Sequence, residues 1–129
     1  MGDPVVERGL EIRREMFGAE IVNAQVQGGE AFSPAFEDLV TRYCFGEIWA
    51  REGLSRKVRS MLTIAMLIAL GRQEQLKVHV RGGLANGMSH DEVKEILLHA
   101  AVYCGIPAAV ASTRTVRETL AELEGESAQ

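Results

Sequence analysis

His79 opens the stretch HVRGGLANGMSHDEV, residues 79–93, and its imidazole suits acid or base chemistry near neutrality, because an unperturbed histidine titrates near about pH 6.5. At about 100° per residue of an α-helix, Arg72, Gln75, His79, Gly83 and Asn86 gather on one stripe. Leu76, Val80 and Leu84 border that stripe, and Glu74, Lys77 and Arg81 lie opposite. A histidine accompanied by a guanidinium and two amides at the edge of an apolar face is the pattern of a half-buried polar site. Gly82 and Gly83 follow one turn later, and each costs a helix roughly 1 kcal/mol relative to alanine. The pair is expected to leave room beside the ring, for a ligand or for the close approach of another helix.

The remaining reactive side chains offer less. His90 is expected in an exposed first turn, and His99, four residues before Tyr103, is placed to hydrogen-bond it. The spacing from His79 to His90 matches no zinc pattern, so no metal is expected. Cys44 and Cys104 form no C-x-x-C pair and are expected to be reduced, small apolar residues. No Gly-rich phosphate loop, G-x-S-x-G elbow or dinucleotide fingerprint occurs, so no cofactor is expected from these motifs.

The elements that must position His79 follow from the helical period, which recurs almost everywhere while strand alternation is missing. The fold class is therefore all-α, with about six helices. Asp3-Pro4 opens the first, which should end at Gly18, and the segment 19–32, with its Gly-Gly pair, is expected to be a connection. Ser33-Pro34 opens the second, on which Phe36, Leu39, Val40 and Tyr43 share a face, with a break at Gly46. Ser55 is expected to cap a third helix that ends at Leu70-Gly71. After Ser60 that helix is apolar all round except for Thr63, and a chain of 129 residues hardly encloses such a helix alone. Burial against a second subunit is expected. The fourth helix should run from Gln73 to Asn86 and stop at Gly87. Ser89 and Glu92 form a capping box for the fifth, which ends near Cys104-Gly105, and Pro107 opens a sixth that reaches about Glu124 before a frayed GESAQ tail.

Composition bounds the class of partner. One domain is expected at this length, with a core over about residues 32–124. A net charge of -4 gives no general attraction to nucleic acid or to an anionic membrane, which leaves small molecules and protein partners. The charged N-terminus has no apolar run of the signal-peptide kind, and MLTIAMLIAL, residues 61–70, is half of the ~20 residues a bilayer span needs. A cytoplasmic protein is expected.

The order GEIWAREGLSRKVRSMLTIAMLIALGR followed by LKVHVRGGLANGMSHDEVKEILLHAAVYCGIPAA resembles the carboxymuconolactone decarboxylase family, over about Phe32 to Arg117. The combination of G-E-x-W, R-S-M-L, H-V-R-x-x-L-x-N-G and Y-C-G-x-P-A-A is long and specific. The resemblance implies an alkylhydroperoxidase-like helical fold, a homo-oligomer, trimeric or hexameric, and cofactor-free loss of CO2 from γ-carboxymuconolactone to give the enol-lactone of 3-oxoadipate in protocatechuate breakdown. Redox relatives in the wider family carry C-x-x-C-x-x-x-H. With their histidine laid on His79, their cysteines fall on Arg72 and Gln75, so a dithiol mechanism lacks both thiols here. The competing functions are a peroxidase-like redox protein and a non-catalytic oligomer that binds a small acid.

For the implied substrate, the departing carboxylate sits on the γ carbon of a butenolide conjugated to its lactone carbonyl, so the electrons left behind delocalise as a dienolate. The substrate carries its own electron sink, and no pyridoxal phosphate, thiamine or metal is needed. The protein must hold two carboxylates, stabilise charge on the lactone oxygen and allow a proton to reach the α carbon. Arg51, Arg59 and Arg72 are the candidates for the carboxylates, with Arg81, about 200° from His79 on the wheel, reaching the pocket only from a neighbouring subunit. His79 is the expected donor or electrophile, and Glu47 is expected to orient it or act as the acid. Trp49 and Tyr103 would form walls, and Asn86 would touch substrate or only terminate its helix.

Overall fold

The computed structural model describes residues 2–27 and 34–128. Among them are seven α-helices, one π-helical stretch and no strand, so the all-α expectation holds. The chain divides into two compact units, Met1–Arg56 and Lys57–Gln129.

In the N-terminal unit, α1 (Pro4–Phe17) starts where Asp3 accepts the Val5 N–H at 2.9 Å, and it ends at Gly18, whose φ of 96° suits glycine. The expected connection after Gly18 is instead helical as far as it is described, as α2 (Ala19–Gln27), anchored by the buried Val22. The Gly-Gly pair and Ser33 lie outside the described residues. The next helix, α3 (Pro34–Leu39), runs without interruption into a π-helical stretch, Val40–Trp49.

The break expected at Gly46 does not occur, because Gly46 is a contact point and not a stop. A Cβ there would lie 2.4 Å from the Val5 carbonyl oxygen, and a Cβ on Gly9 would lie 2.2 Å from that of Thr41. Two glycines thus let α1 and the π-helical stretch touch backbone to backbone. The Ala50 N–H returns to the Phe45 carbonyl at 3.1 Å, the five-residue step of a π-helix. This wider winding buries Thr41, Phe45 and Trp49, four residues apart, and leaves Phe36, Leu39 and Tyr43 exposed.

Ile12, Met16, Phe45 and Trp49 form the core of this unit, with the Phe45 ring 5.8 Å from those of Phe17 and Trp49. Beside it lies a buried charge. Arg13, 5% exposed, donates to Thr41 Oγ1 at 2.7 Å, to Gln25 Oε1 at 3.0 Å and to Glu37 Oε1 at 3.2 Å, and its guanidinium lies 5.9 Å from the Phe45 ring centre. One side chain thereby ties four elements.

In the C-terminal unit, α4 (Arg56–Leu70) begins directly after Ser55 and ends at Gly71, φ 70°. Then α5 (Gln73–Ala85) ends at Asn86 and Gly87, and α6 (His90–Cys104) starts from the expected Ser89–Glu92 capping box. Gly105 joins it to α7 (Ile106–Ser127), which outlasts the expected end at Glu124. The expected frayed tail is helical because Arg81 donates to both carboxylate oxygens of Glu126, at 2.9 and 3.3 Å, and holds the last turn on α5.

Ile64 and Ile68 of α4, Leu76 and Val80 of α5, Val93 and Leu97 of α6 and Val116 of α7 share one core. Among the described residues the apolar α4 is not enclosed. Val58, Leu62, Met66 and Leu70, spaced by four, form an exposed row, and Leu98, Val102, Ile106 and Val110 form another on α6 and α7.

Replacing Arg13 with Met should strip three acceptors of their donor and leave the Glu37 carboxylate without its buried partner. The expected cost is about 3 kcal/mol of folding stability in urea denaturation. A loss below about 1 kcal/mol would mean that the network contributes no more than a surface ion pair.

Candidate active site

The stripe read from the sequence runs from solvent into the interior. Arg72 and Gln75, at the start of α5, are exposed, His79 is partly buried, Gly83 is buried and Asn86 is partly buried. Arg72 caps the helix through its backbone, its carbonyl accepting the Leu76 N–H at 2.9 Å, which leaves its guanidinium on the rim. His79 is thus the most inward titratable group of the stripe.

The glycine question is settled in favour of packing. A Cβ on Gly83 would lie 2.7 Å from Met88 Sδ, 3.3 Å from Ile64 Cδ1 and 3.5 Å from Ser60 Cβ, so the missing side chain makes room for α4 and for the α5–α6 turn. One turn further, Asn86 Nδ2 donates to Ser60 Oγ at 3.0 Å across the same approach. Asn86 terminates α5 through its backbone N–H, which reaches the Gly82 and Gly83 carbonyls, while its amide serves α4. Ser60 was not foreseen. Its signal is a hydroxyl at the border between a basic turn and an apolar run, at a position 0% exposed.

The basic turn of α4 carries Arg56, paired with Glu15, then Lys57, paired with Glu92 at 2.7 Å, and Arg59, partly buried, whose carbonyl accepts the Thr63 hydroxyl at 2.8 Å. Arg81 lies elsewhere, in ion pairs with Glu122 at 3.1 Å and Glu126 at 2.9 Å on α7. Tyr103 is 78% exposed and its ring lies 5.0 Å from that of His99. These two line an open groove of about 570 Å³ with Met61 and Ala65 of α4 and Glu95 and Ala100 of α6, and His79 is not among its walls. Glu47, Trp49 and Arg51 belong to the N-terminal unit. Glu47 and Arg51 are exposed, Trp49 is buried, and the first and last of this group flank or occupy the end of the π-helical stretch.

Burial decides the protonation of His79. It pushes the imidazole down to about 4, so the ring is neutral at physiological pH and offers one N–H donor and one lone pair. Burial likewise pushes the Cys44 thiol up, which makes it a poor thiolate, and Cys104 is an exposed free thiol. Among the described residues no group of three or more His, Cys, Asp or Glu is arranged to hold a metal ion, and no helix is long and apolar enough to cross a membrane.

Residues 34–118 match the model of the carboxymuconolactone decarboxylase family. The chain is 39% identical over 117 residues to 4-carboxymuconolactone decarboxylase of Acinetobacter baylyi, covering 91% of this chain and 87% of that protein. It is 32% identical over 117 residues to nitrosuccinic acid decarboxylase of Metarhizium robertsii, covering 91% and 82%. A Paracoccus denitrificans relative described as an uncharacterized 15.0 kDa protein is 27% identical over 124 residues, covering 95% and 92%.

The depressed His79 value links the site to stability. The folded chain resists a proton that the unfolded chain takes up near about pH 6.5, so the contribution is fully present above that pH and is lost as pH falls toward about 4. Thermal or urea unfolding should show up to about 3 kcal/mol of acid destabilisation from this group. His79→Gln should flatten that part of the profile, and an unchanged profile in the variant would show that the ring is not held neutral.

Proposed function

Since this chain belongs to the carboxymuconolactone decarboxylase family, we propose that it is a carboxy-lyase that converts γ-carboxymuconolactone to CO2 and the enol-lactone of 3-oxoadipate. The observation that carries the reading is a neutral, partly buried His79, inward of Arg72 on the same stripe. Arg72 and Gln75 stand where redox relatives of the family carry cysteines, which disfavours peroxide reduction. The step belongs to aromatic catabolism through protocatechuate, and a cytoplasmic location suits it.

The reaction breaks the bond between the γ carbon and its carboxylate, and the electron pair moves through the C=C into the lactone carbonyl. His79, neutral, donates an N–H hydrogen bond to the lactone oxygen and so favours the dienolate over the substrate. A proton then adds at the α carbon. Arg59 and Arg72 take the acetate carboxylate, whose binding is the same in substrate and transition state. The leaving carboxylate is best placed in the more apolar part of the pocket, because an arginine clamped on it would stabilise the substrate against its loss. The 32% identical relative, named for nitrosuccinic acid, fits the same logic, since a nitro group is also an internal electron acceptor.

The match to the family model crosses both compact units, which supports one functional domain over about residues 32–124. The two exposed apolar rows support a homo-oligomer, in which Tyr103, exposed in the single chain, and Arg81 would be covered by a neighbour.

Purified protein mixed with γ-carboxymuconolactone should release CO2 without added cofactor, and His79→Ala should be slower by about 100-fold or more. Equal rates would remove His79 from the mechanism. In the same assay Arg59→Met and Arg72→Met should raise KM more than they lower kcat, and a loss confined to kcat would place these arginines on the leaving carboxylate instead. Sedimentation should give a mass of several chains. A mass of one chain would overturn the oligomer.

A further inference from the structure

We infer that Ser60 is a positioning residue for substrate binding, acting with Asn86 as a clasp that fixes Arg59 relative to His79. The inference rests on the decarboxylase reading for the identity of the ligand, a lactone dicarboxylate. Three observations carry it. Ser60 is 0% exposed and its hydroxyl accepts the Asn86 amide at 3.0 Å, so this buried side chain of α4 is committed to the end of α5. Asn86 and His79 share the stripe on either side of Gly83, whose absent Cβ sets the approach to Ser60 and Ile64. Arg59 precedes Ser60, and its carbonyl is held from the other side by the Thr63 hydroxyl at 2.8 Å.

The root of the Arg59 side chain is therefore fixed within its own helix by Thr63 and to the histidine helix by the next residue. A rigid diacid that spans an arginine and an imidazole requires those two groups at a set separation, and a displacement of about 1 Å in such a pair is worth up to about 100-fold in rate. An apolar residue at position 60 would fill the same space and still leave that separation unfixed. The partly buried amide of Asn86 would lose its acceptor as well.

The test uses a saturated γ-lactone dicarboxylate, which has no conjugated sink and cannot lose CO2, as a calorimetric probe of binding to the full chain. Ser60→Ala should weaken binding by about tenfold in the wild-type background and by less than about twofold in an Arg59→Met background, because the clasp acts through Arg59. Asn86→Ala should repeat this pattern, breaking the same bond from its other end, and Ser60→Thr, which keeps the hydroxyl, should restore most of the affinity. Thermal melts of each variant report folding separately. A purely structural serine would lower the melting temperature and weaken binding equally in both backgrounds, and that result, or unchanged binding in Ser60→Ala, overturns the inference. Wild-type protein that binds the probe with the expected coupling but releases no CO2 from the unsaturated lactone would sink the decarboxylase reading and leave the clasp standing. Wild-type protein that does not bind the probe overturns both.

Discussion

Where α5 passes α4, residue 83 has no side chain, and the rest of the C-terminal unit is arranged around that vacancy. Met88 Sδ, Ile64 Cδ1 and Ser60 Cβ would all stand within 3.5 Å of a Cβ there. The turn after α5 folds back so that Met88 covers the glycine, its N–H returning to the Gly83 carbonyl at 2.9 Å. A helix pays about 1 kcal/mol for a glycine at such a position, and the close approach offsets it by bringing Ser60 within reach of Asn86. His79, one turn earlier on the same stripe, is partly buried, and its neutrality at physiological pH is a consequence of that burial.

That neutrality selects among the ways a histidine can serve a decarboxylation. An imidazolium would be the stronger acid, but with the ring pushed down to about 4 it is scarce near pH 7. A neutral N–H still donates, and a donor fixed in advance needs no reorganisation as negative charge grows on an oxygen. The guanidinium at the outer end of the stripe has the complementary property. Arg72 is exposed and presents a guanidinium, so in the proposed reaction it suits the part of a dianion that keeps its charge throughout. In the proposed reaction the gradient of burial along one helix separates a charge-holding end from an electron-polarising end.

Features that depend on a few adjacent residues were legible in the sequence. The Asp3 cap, the Ser89–Glu92 capping box and the glycine stops at 18, 71, 87 and 105 all obey local backbone rules, and each bounds a helix. The π-helical stretch was not legible, because its winding depends on Gly9 and Gly46 bringing two distant segments into backbone contact. Spacing at 3.6 residues puts Phe36, Leu39 and Tyr43 on one face, whereas Thr41, Phe45 and Trp49 are the inward set. In the site, the stripe itself could be read from one helix, since a single wheel places Arg72, His79 and Asn86 together. Ser60 could not, because its role appears only when a second helix is laid against the first, and a lone serine in an apolar run has no periodicity of its own.

The two units solve the burial of polar groups differently, and the difference bears on where the chemistry sits. The N-terminal unit buries a full charge, Arg13, and satisfies it with Thr41, Gln25 and Glu37 drawn from three other elements. Such a network resists change, because loss of any partner leaves a charge or an acceptor stranded away from water. Among the described residues the C-terminal unit fully buries the hydroxyls of Ser60, Ser112 and Thr119 and partly buries the Asn86 amide and the neutral His79 ring, groups whose desolvation costs far less than that of an ion. A catalytic histidine placed beside a buried arginine would be held by a fixed field. In the proposed reaction His79 belongs to a unit whose fully buried polar side chains, among the described residues, are uncharged hydroxyls, and a bound dianion adds its own field to that setting.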